Sequence, residues 1–200
     1  MKIKIFLACT LTVLLSSFQF IPTGKVVSVA EFKKFLDSTG LAFEMPDGFT
    51  ETTVNENRDL WYAFAIKSKT AHFEIRYTVW PLKEQLEEYA KCKHTPNCLR
   101  IDPNNTYSGR VQANALNMTA GEGAEVRAFP PDAVRNEFNA DDGGTAVFEP
   151  KCEFGKGYKL GQMVYLHKDS IADVIVSYLS DDRETHAKYM DAAFHAIRFK

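Results

Sequence analysis

The chain has 200 residues, 45% of them hydrophobic and 25% charged, which suits one globular domain of ordinary size with a substantial buried core. Its 24 Lys plus Arg stand against 26 Asp plus Glu and are interleaved with them, a pattern that excludes the clustered basic face of a nucleic-acid or polyanion binder.

Residues 1–20 open with Lys2 and Lys4, continue through the apolar run Ile5 to Leu15 and close on Ser16, Ser17 and Gln19. That order is the pattern of a secretory signal peptide, removed on export, with cleavage expected between Ser17 and Thr23. Its apolar run is too short to cross a membrane, which takes roughly 20 such residues, and no later stretch is longer. Cys9 lies inside the run instead of after it, so it does not fit a lipid-anchor site. An exported protein, periplasmic or extracellular, is expected, with 22 basic against 26 acidic residues once Lys2 and Lys4 are lost.

Ser28 with Glu31 forms a capping box, and Val29, Phe32, Phe35 and Leu36 recur at helical spacing until Gly40, predicting a helix over 29–38. This helix belongs to an N-terminal region, 21–40, ahead of a single domain at 41–200. Leu41, Phe43 and Met45 alternate before the turn Pro46-Asp47-Gly48, and the Thr-rich 49–54 reads as another short strand. Leu60, Tyr62, Phe64 and Ile66, then Phe73, Ile75, Tyr77 and Val79, predict an antiparallel hairpin with one face in the core. The opposite face, with His72, Glu74, Arg76 and Thr78, reads as solvated and laced with charge pairs.

Pro81 is expected to open a helix to about Lys91, with Leu82, Leu86 and Tyr89 inward. A polar loop follows over 92–110, rich in Pro and Asn, and a loop of that length is commonly functional. Tyr107 in this loop is a candidate anchor for a partner. Val111, Ala115 and Leu116 suggest a short helix, 124–129 a strand and 131–138 another helix, and 139–144 reads as an acidic, glycine-ended turn.

The last third predicts a meander of strands at 145–148, 158–166 and 171–179. The final strand is apolar on both faces except at Asp173 and Ser177, which places it in the middle of a sheet covered on both sides. Asp181 with Glu184 suggests a second capping box, Ala187, Met190, Ala193 and Phe194 line a closing helix, and 197–199 can add an edge strand.

Candidate chemistry is sparse. Cys92, Cys98 and Cys152 remain after export, and the turn-forming spacer at 93–97 makes Cys92–Cys98 the easiest disulfide to close, with pairings to Cys152 as the alternatives. Together with His94 the first two could instead hold zinc, but no second closely spaced pair completes such a site. Asp141 and Asp142 are candidate ligands for calcium or another divalent ion, although Gly143 and Glu149 break the calcium-loop spacing, and no cofactor is expected otherwise. His167 beside Asp169 can titrate near neutrality or join a binding site, against the reading of an exposed turn pair. His186 and His195 fall on opposite sides of one helix. No Gly-x-Ser-x-Gly elbow is present, and Gly155-Lys156-Gly157 with Gly161 has the wrong spacing for a phosphate loop.

The segment Leu41-Ala42-Phe43-Glu44-Met45-Pro46-Asp47-Gly48-Phe49, the hairpin after it, and the run from Leu166-His167-Lys168 through Ser180-Asp181-Asp182 to Ala196-Ile197-Arg198-Phe199 resemble PsbP-like domains. The resemblance covers about residues 41–200, and the chain departs from it in its long cysteine-containing loop. It implies an α+β fold, an α/β/α sandwich around a mainly antiparallel sheet of about six or seven strands. It also implies a non-catalytic accessory or binding role, in some members with membrane complexes and divalent metals. The expected function is an exported binding or accessory protein of the cell envelope, its partner a protein or a small ligand. The alternatives are a divalent-metal carrier and an enzyme with a site near His167 and Asp141.

Overall fold

A computed structural model describes residues 24–119 and 123–200. The expected signal peptide, with Cys9 and the cleavage region, lies outside the described residues. In chain order the elements are β1 Lys25–Val26, α1 Val29–Asp37, β2 Leu41–Phe43, β3 Phe49–Glu51, β4 Thr53–Val54, β5 Phe64–Ser68 and β6 Phe73–Pro81. Next come α2 Lys83–Cys92, α3 Tyr107–Met118, β7 Arg127–Ala128, α4 Pro131–Phe138 and β8 Asp142–Phe148. The chain closes with α5 Cys152–Gly155, β9 Leu160–Lys168, β10 Ala172–Ser180, α6 Arg183–Ala193 and β11 Ile197–Phe199.

Seven strands form one antiparallel sheet in the order β3-β5-β6-β10-β9-β8-β7. All nine residues of β10 are buried, because its alternate side chains meet a helical layer on each face. On the first face Val174, Val176 and Tyr178 pack with Phe32 and Leu36 of α1, Val134 and Phe138 of α4, and Ala193 of α6. On the second face Ile175 and Leu179 pack with Val111, Ala115 and Met118 of α3 and Phe154 of α5. The α/β/α sandwich expected from the sequence is the observed fold. The terminal strand β11 also forms, but it pairs with β2 outside the main sheet, where Leu41, Phe43, Ile197 and Phe199 extend the first-face core.

Helix α1 is fixed by the reciprocal cap read from the sequence: Ser28 Oγ accepts from the Glu31 N–H and the Glu31 carboxylate accepts from the Ser28 N–H. The Ser28 amide, with Lys25 beside it, holds the Glu31 carboxyl down at about 2. The cap orients Phe32 so that its ring stacks on Phe64 at 4.4 Å and meets Phe43 at 5.3 Å.

Several local expectations are corrected. Pro81 ends β6 opposite Ala172 instead of opening a helix, and the Leu82 N–H donates to the Ile171 carbonyl before α2 begins. The face carrying Arg76 and Thr78 is buried, since Phe154 and Tyr62 cover the Arg76 guanidinium while it pairs with Glu74 at 2.6 Å. The irregular loop ends at Thr106, because a tight turn at Pro103–Asn105, capped by Asp102, delivers the chain directly into α3. Asp142, Gly143 and Gly144 are strand, not turn. A Cβ at Gly144 would collide with the Arg127 carbonyl of β7 and lie 2.6 Å from the Tyr165 ring, so glycine here lets β7 approach closely. The cap of α6 is Asp182, which accepts from the Thr185 N–H, while Asp181 pairs with His72. Gly155-Lys156-Gly157 closes α5 with Lys156 left-handed, instead of joining two strands.

Cys92 and Cys98 form a disulfide with Cα atoms 5.5 Å apart, which removes both from any zinc site, and Cys152 is free and exposed. Among the described residues, no helix is long and apolar enough to cross a membrane.

Because Phe32 joins α1 to both β5 and β2 through ring contacts, Phe32→Ala should cost about 3–5 kcal/mol in denaturant unfolding. Tyr77 is equally buried, but its hydroxyl has no hydrogen-bond partner among the described residues, so Tyr77→Phe should cost less than about 1 kcal/mol or stabilise. Equal losses at the two positions would contradict this packing.

Candidate functional site

The polar residues singled out in the sequence meet at one end of the sheet, on its second face. Strand register sets Asp142 of β8 opposite His167 of β9, His167 opposite Asp173 of β10, and Asp173 opposite Trp80 of β6. These four form a row across the sheet, and the first turn of α3 lies over it. Tyr107 stacks on the His167 ring at 4.0 Å and its hydroxyl donates to Asp142 at 2.6 Å. Arg110, one turn further on, pairs with Asp173 and lies 5.2 Å over the Trp80 ring. Trp80 in turn meets the edge of Trp61 at 5.6 Å.

His167 is 2% exposed and sits between two carboxylates, with Nδ1 2.6 Å from Asp173 and Nε2 2.9 Å from Asp169. It is therefore not the exposed turn pair considered from the sequence. Burial opposes its charge, but the hydrogen bonds to Asp173 and Asp169 outweigh that effect and raise its pKa above the ordinary histidine value. The hydrogen bond to Asp142 raises the Tyr107 phenol, and burial with Asp142 pushes Tyr165 up to about 12. Both ring nitrogens of His167 are thus engaged, and the Tyr107 and Tyr165 hydroxyls both meet Asp142.

Tyr107, His167, Asp169, Asp141 and Asp142 all come together here, but not around a common empty point. Asp141 accepts from the Asp169 N–H at 2.9 Å, while Asp142 accepts from Tyr107 and from the Gly143 N–H. The two carboxylates therefore serve different partners. Among the described residues, no group of three or more His, Cys, Asp and Glu is placed to hold a metal ion. The arrangement ties α3 and the loop before it to the sheet, helped by Asn104, whose side chain accepts from the Ser170 N–H. The sequence reading missed Arg110, although Asp173 carried a signal as the one acid in a strand apolar on both faces.

The opposite face carries the open space. A groove of about 610 Å³ lies between α6 and the β8–β9 part of the sheet. Its walls are Val147, Leu160, Ala187, Met190 and Phe194, with Val147, next to last in β8, 56% exposed. Arg183 and His186, one turn apart on α6, flank Gln162 at one end, and Asp191 lies toward the other.

His186 forms the polar floor of this groove. Gln162 donates its amide to Thr145 at 2.8 Å, so its carbonyl faces His186 Nε2 at 3.1 Å and accepts from it. His186 Nδ1 then accepts from the Ser180 hydroxyl at 2.9 Å. Burial lowers the His186 pKa, in keeping with this neutral form. Hydroxyl, imidazole and amide are ordered as nucleophile, base and orienting group, but Ser180 is 0% exposed, so no substrate reaches its oxygen. The chain joins α6 to the sheet and leaves Gln162 and His186 at the groove surface.

No protein-family model and no curated protein matches this chain. Among solved structures, it is similar to LpqN of Mycobacterium tuberculosis, a protein involved in cell envelope biogenesis, with a TM-score of 0.40 and 12% identity over 88% of this chain and 99% of that one.

The two buried histidines should respond to pH with opposite signs. The folded state binds a proton at His167 more tightly than the unfolded chain, so its contribution is complete below an ordinary histidine pKa of about 6.5 and is lost as pH rises through the higher folded value. His186 is favoured neutral, so its contribution is present above about 6.5 and is lost as pH falls through the lower folded value. Imidazole NMR titration should place His167 above and His186 below free histidine, and unfolding of His167→Asn should lose the decline on the alkaline side. Titration of His167 below His186 would contradict the geometry.

Proposed function

We propose that this protein is an exported, non-catalytic binding protein of the cell envelope that holds a small amphipathic ligand in the groove beside α6. The observation that carries the reading is the groove itself: a volume of about 610 Å³ with predominantly apolar walls and a few polar groups gathered at one end. The apolar walls suit a hydrocarbon body. Arg183, with the neutral donors and acceptors of Gln162 and His186 beside it, suits a carboxylate or phosphate head.

Export is supported by the signal-peptide pattern of residues 1–20 and by the disulfide, a bond that persists in oxidising compartments. The likeness of residues 41–200 to PsbP-like domains, mostly accessory or binding proteins, supports a role without catalysis. The buried state of Ser180 and the engagement of both His167 nitrogens point the same way, since neither polar cluster offers a substrate an activated atom.

The test uses a dansyl-labelled undecanoic acid as a fluorescent probe of the mature protein. Saturable binding with a blue shift is expected, weakened at least about tenfold, or about 1.4 kcal/mol, by Ala187→Trp, which fills the groove from an exposed position. Arg183→Glu should weaken the acid probe more than a neutral dansyl-alkyl amide of the same length. Binding that is absent, or unchanged in Ala187→Trp, would overturn the reading.

A further inference from the structure

A second surface lies away from the groove, at the far end of α2. None of the α2 residues is fully buried. Beyond it the chain turns tightly, with the Thr95 N–H donating to the Cys92 carbonyl and Asn97 left-handed at a φ of 68°. The Cys92–Cys98 bridge closes this turn and sets Lys91 and Lys93 beside Leu99 and Arg100. Leu99 is 94% exposed and Ile101 70%, the two most exposed large hydrophobic side chains among the described residues.

Charge on this tip runs against the rest of the protein. From Tyr89 to Ile101 there is no acidic residue, while Lys91, Lys93 and Arg100 are cationic and His94 is exposed, in a chain whose net charge is −2. Acids bound this stretch on both sides: Glu84, Glu87 and Glu88 precede it in α2, with Glu88 paired to Arg100, and Asp102 follows it as the cap of the next turn, which leaves Lys91 and Lys93 as the tip's main cationic charge. Lysines at a helix C-terminus offset the helix dipole, which accounts for Lys91 and Lys93 on structural grounds. It does not account for a leucine and an isoleucine held in water on a disulfide-closed turn, since such side chains lose favourable burial unless something covers them.

We propose that the tip formed by Lys91, Lys93, Leu99, Arg100 and Ile101 docks on an anionic phospholipid surface. Cationic side chains gathered around exposed aliphatic ones are the combination that seats at the boundary between headgroups and acyl chains. The bridge fixes the tip before contact, so little ordering entropy is lost on docking. This site is separate from the groove and does not depend on what the groove holds.

Flotation of the mature, oxidised protein with vesicles tests the proposal. Equimolar phosphatidylglycerol and phosphatidylcholine vesicles should carry the protein at low salt, and phosphatidylcholine alone should not. Leu99→Ser with Ile101→Ser should weaken binding at least about tenfold, and Lys91→Gln with Lys93→Gln by about fivefold per cation removed. All four positions are exposed, so unchanged thermal unfolding will confirm that the variants fold. Ala187→Trp, which fills the groove, should leave vesicle binding unchanged. Absence of binding to the anionic vesicles, equal binding by the serine variant, or loss of binding in Ala187→Trp would each overturn the proposal.

Discussion

The burial of β10 on both faces is the constraint from which the rest of the architecture follows. A strand with Val174, Val176 and Tyr178 on one side and Ile175 and Leu179 on the other can be dry only between two layers, so the sheet must carry helices on each face. Those layers differ in kind. The first face is closed by α1, α4, α6 and the β2–β11 pair, rich in aromatic rings, and the second by α3 and the short α5. Where α6 crosses toward the edge half of the sheet, the first layer covers β8 and β9 incompletely, and the groove is what remains.

The second face is aligned by buried polar contacts as well as by hydrophobic ones. Burying charge is costly unless the partners satisfy each other, and here they do. Arg110 and His167 share Asp173, Tyr107 covers His167, and Arg76 divides its donors between Glu74 and the Phe154 carbonyl. The contacts of Arg110, Tyr107 and the Phe154 carbonyl each join a helix to a defined strand position, while His167–Asp173 ties β9 to β10. Sliding α3 by one turn would leave Asp173 and His167 without their covering groups, whereas Val111 and Ala115 alone would tolerate the shift. The network is thus the physical reason for one register of α3.

How legible this was in the sequence depended on the range of the interactions. The capping box of α1, the alternation in β6 and the two-sided apolar character of β10 are local patterns, and each gave the right element. The Cys92–Cys98 bridge followed from a short spacer. The start of β8 was hidden because Asp142-Gly143-Gly144 has the composition of a turn, and the need for glycine arises only from β7 and Tyr165, which are distant in the chain. The start of α3 was hidden behind Pro103, Asn104 and Gly109, which read as loop until Asp102 and the turn after it are seen to lead into the helix. Arg76 read as solvated because the rings that cover it come from residues 62 and 154. The candidates Tyr107, Asp141 with Asp142, and His167 with Asp169 read as separate features of a loop, an acidic turn and a hairpin turn, and only the strand register and the placement of α3 bring them together. The groove could not be foreseen, because Val147, Gln162, Ala187 and Met190 are unremarkable in their own elements and acquire meaning only when α6 lies beside β8 and β9.

The space beside α6 is, on the reading proposed above, a ligand site. Native mass spectrometry of the protein extracted under mild conditions from its own host puts this to the test. A species heavier than the polypeptide by the mass of one small anionic amphiphile is expected in the unmodified protein and not in Ala187→Trp. Two proteins that both show only the polypeptide mass, or that carry the same adduct, would contradict it.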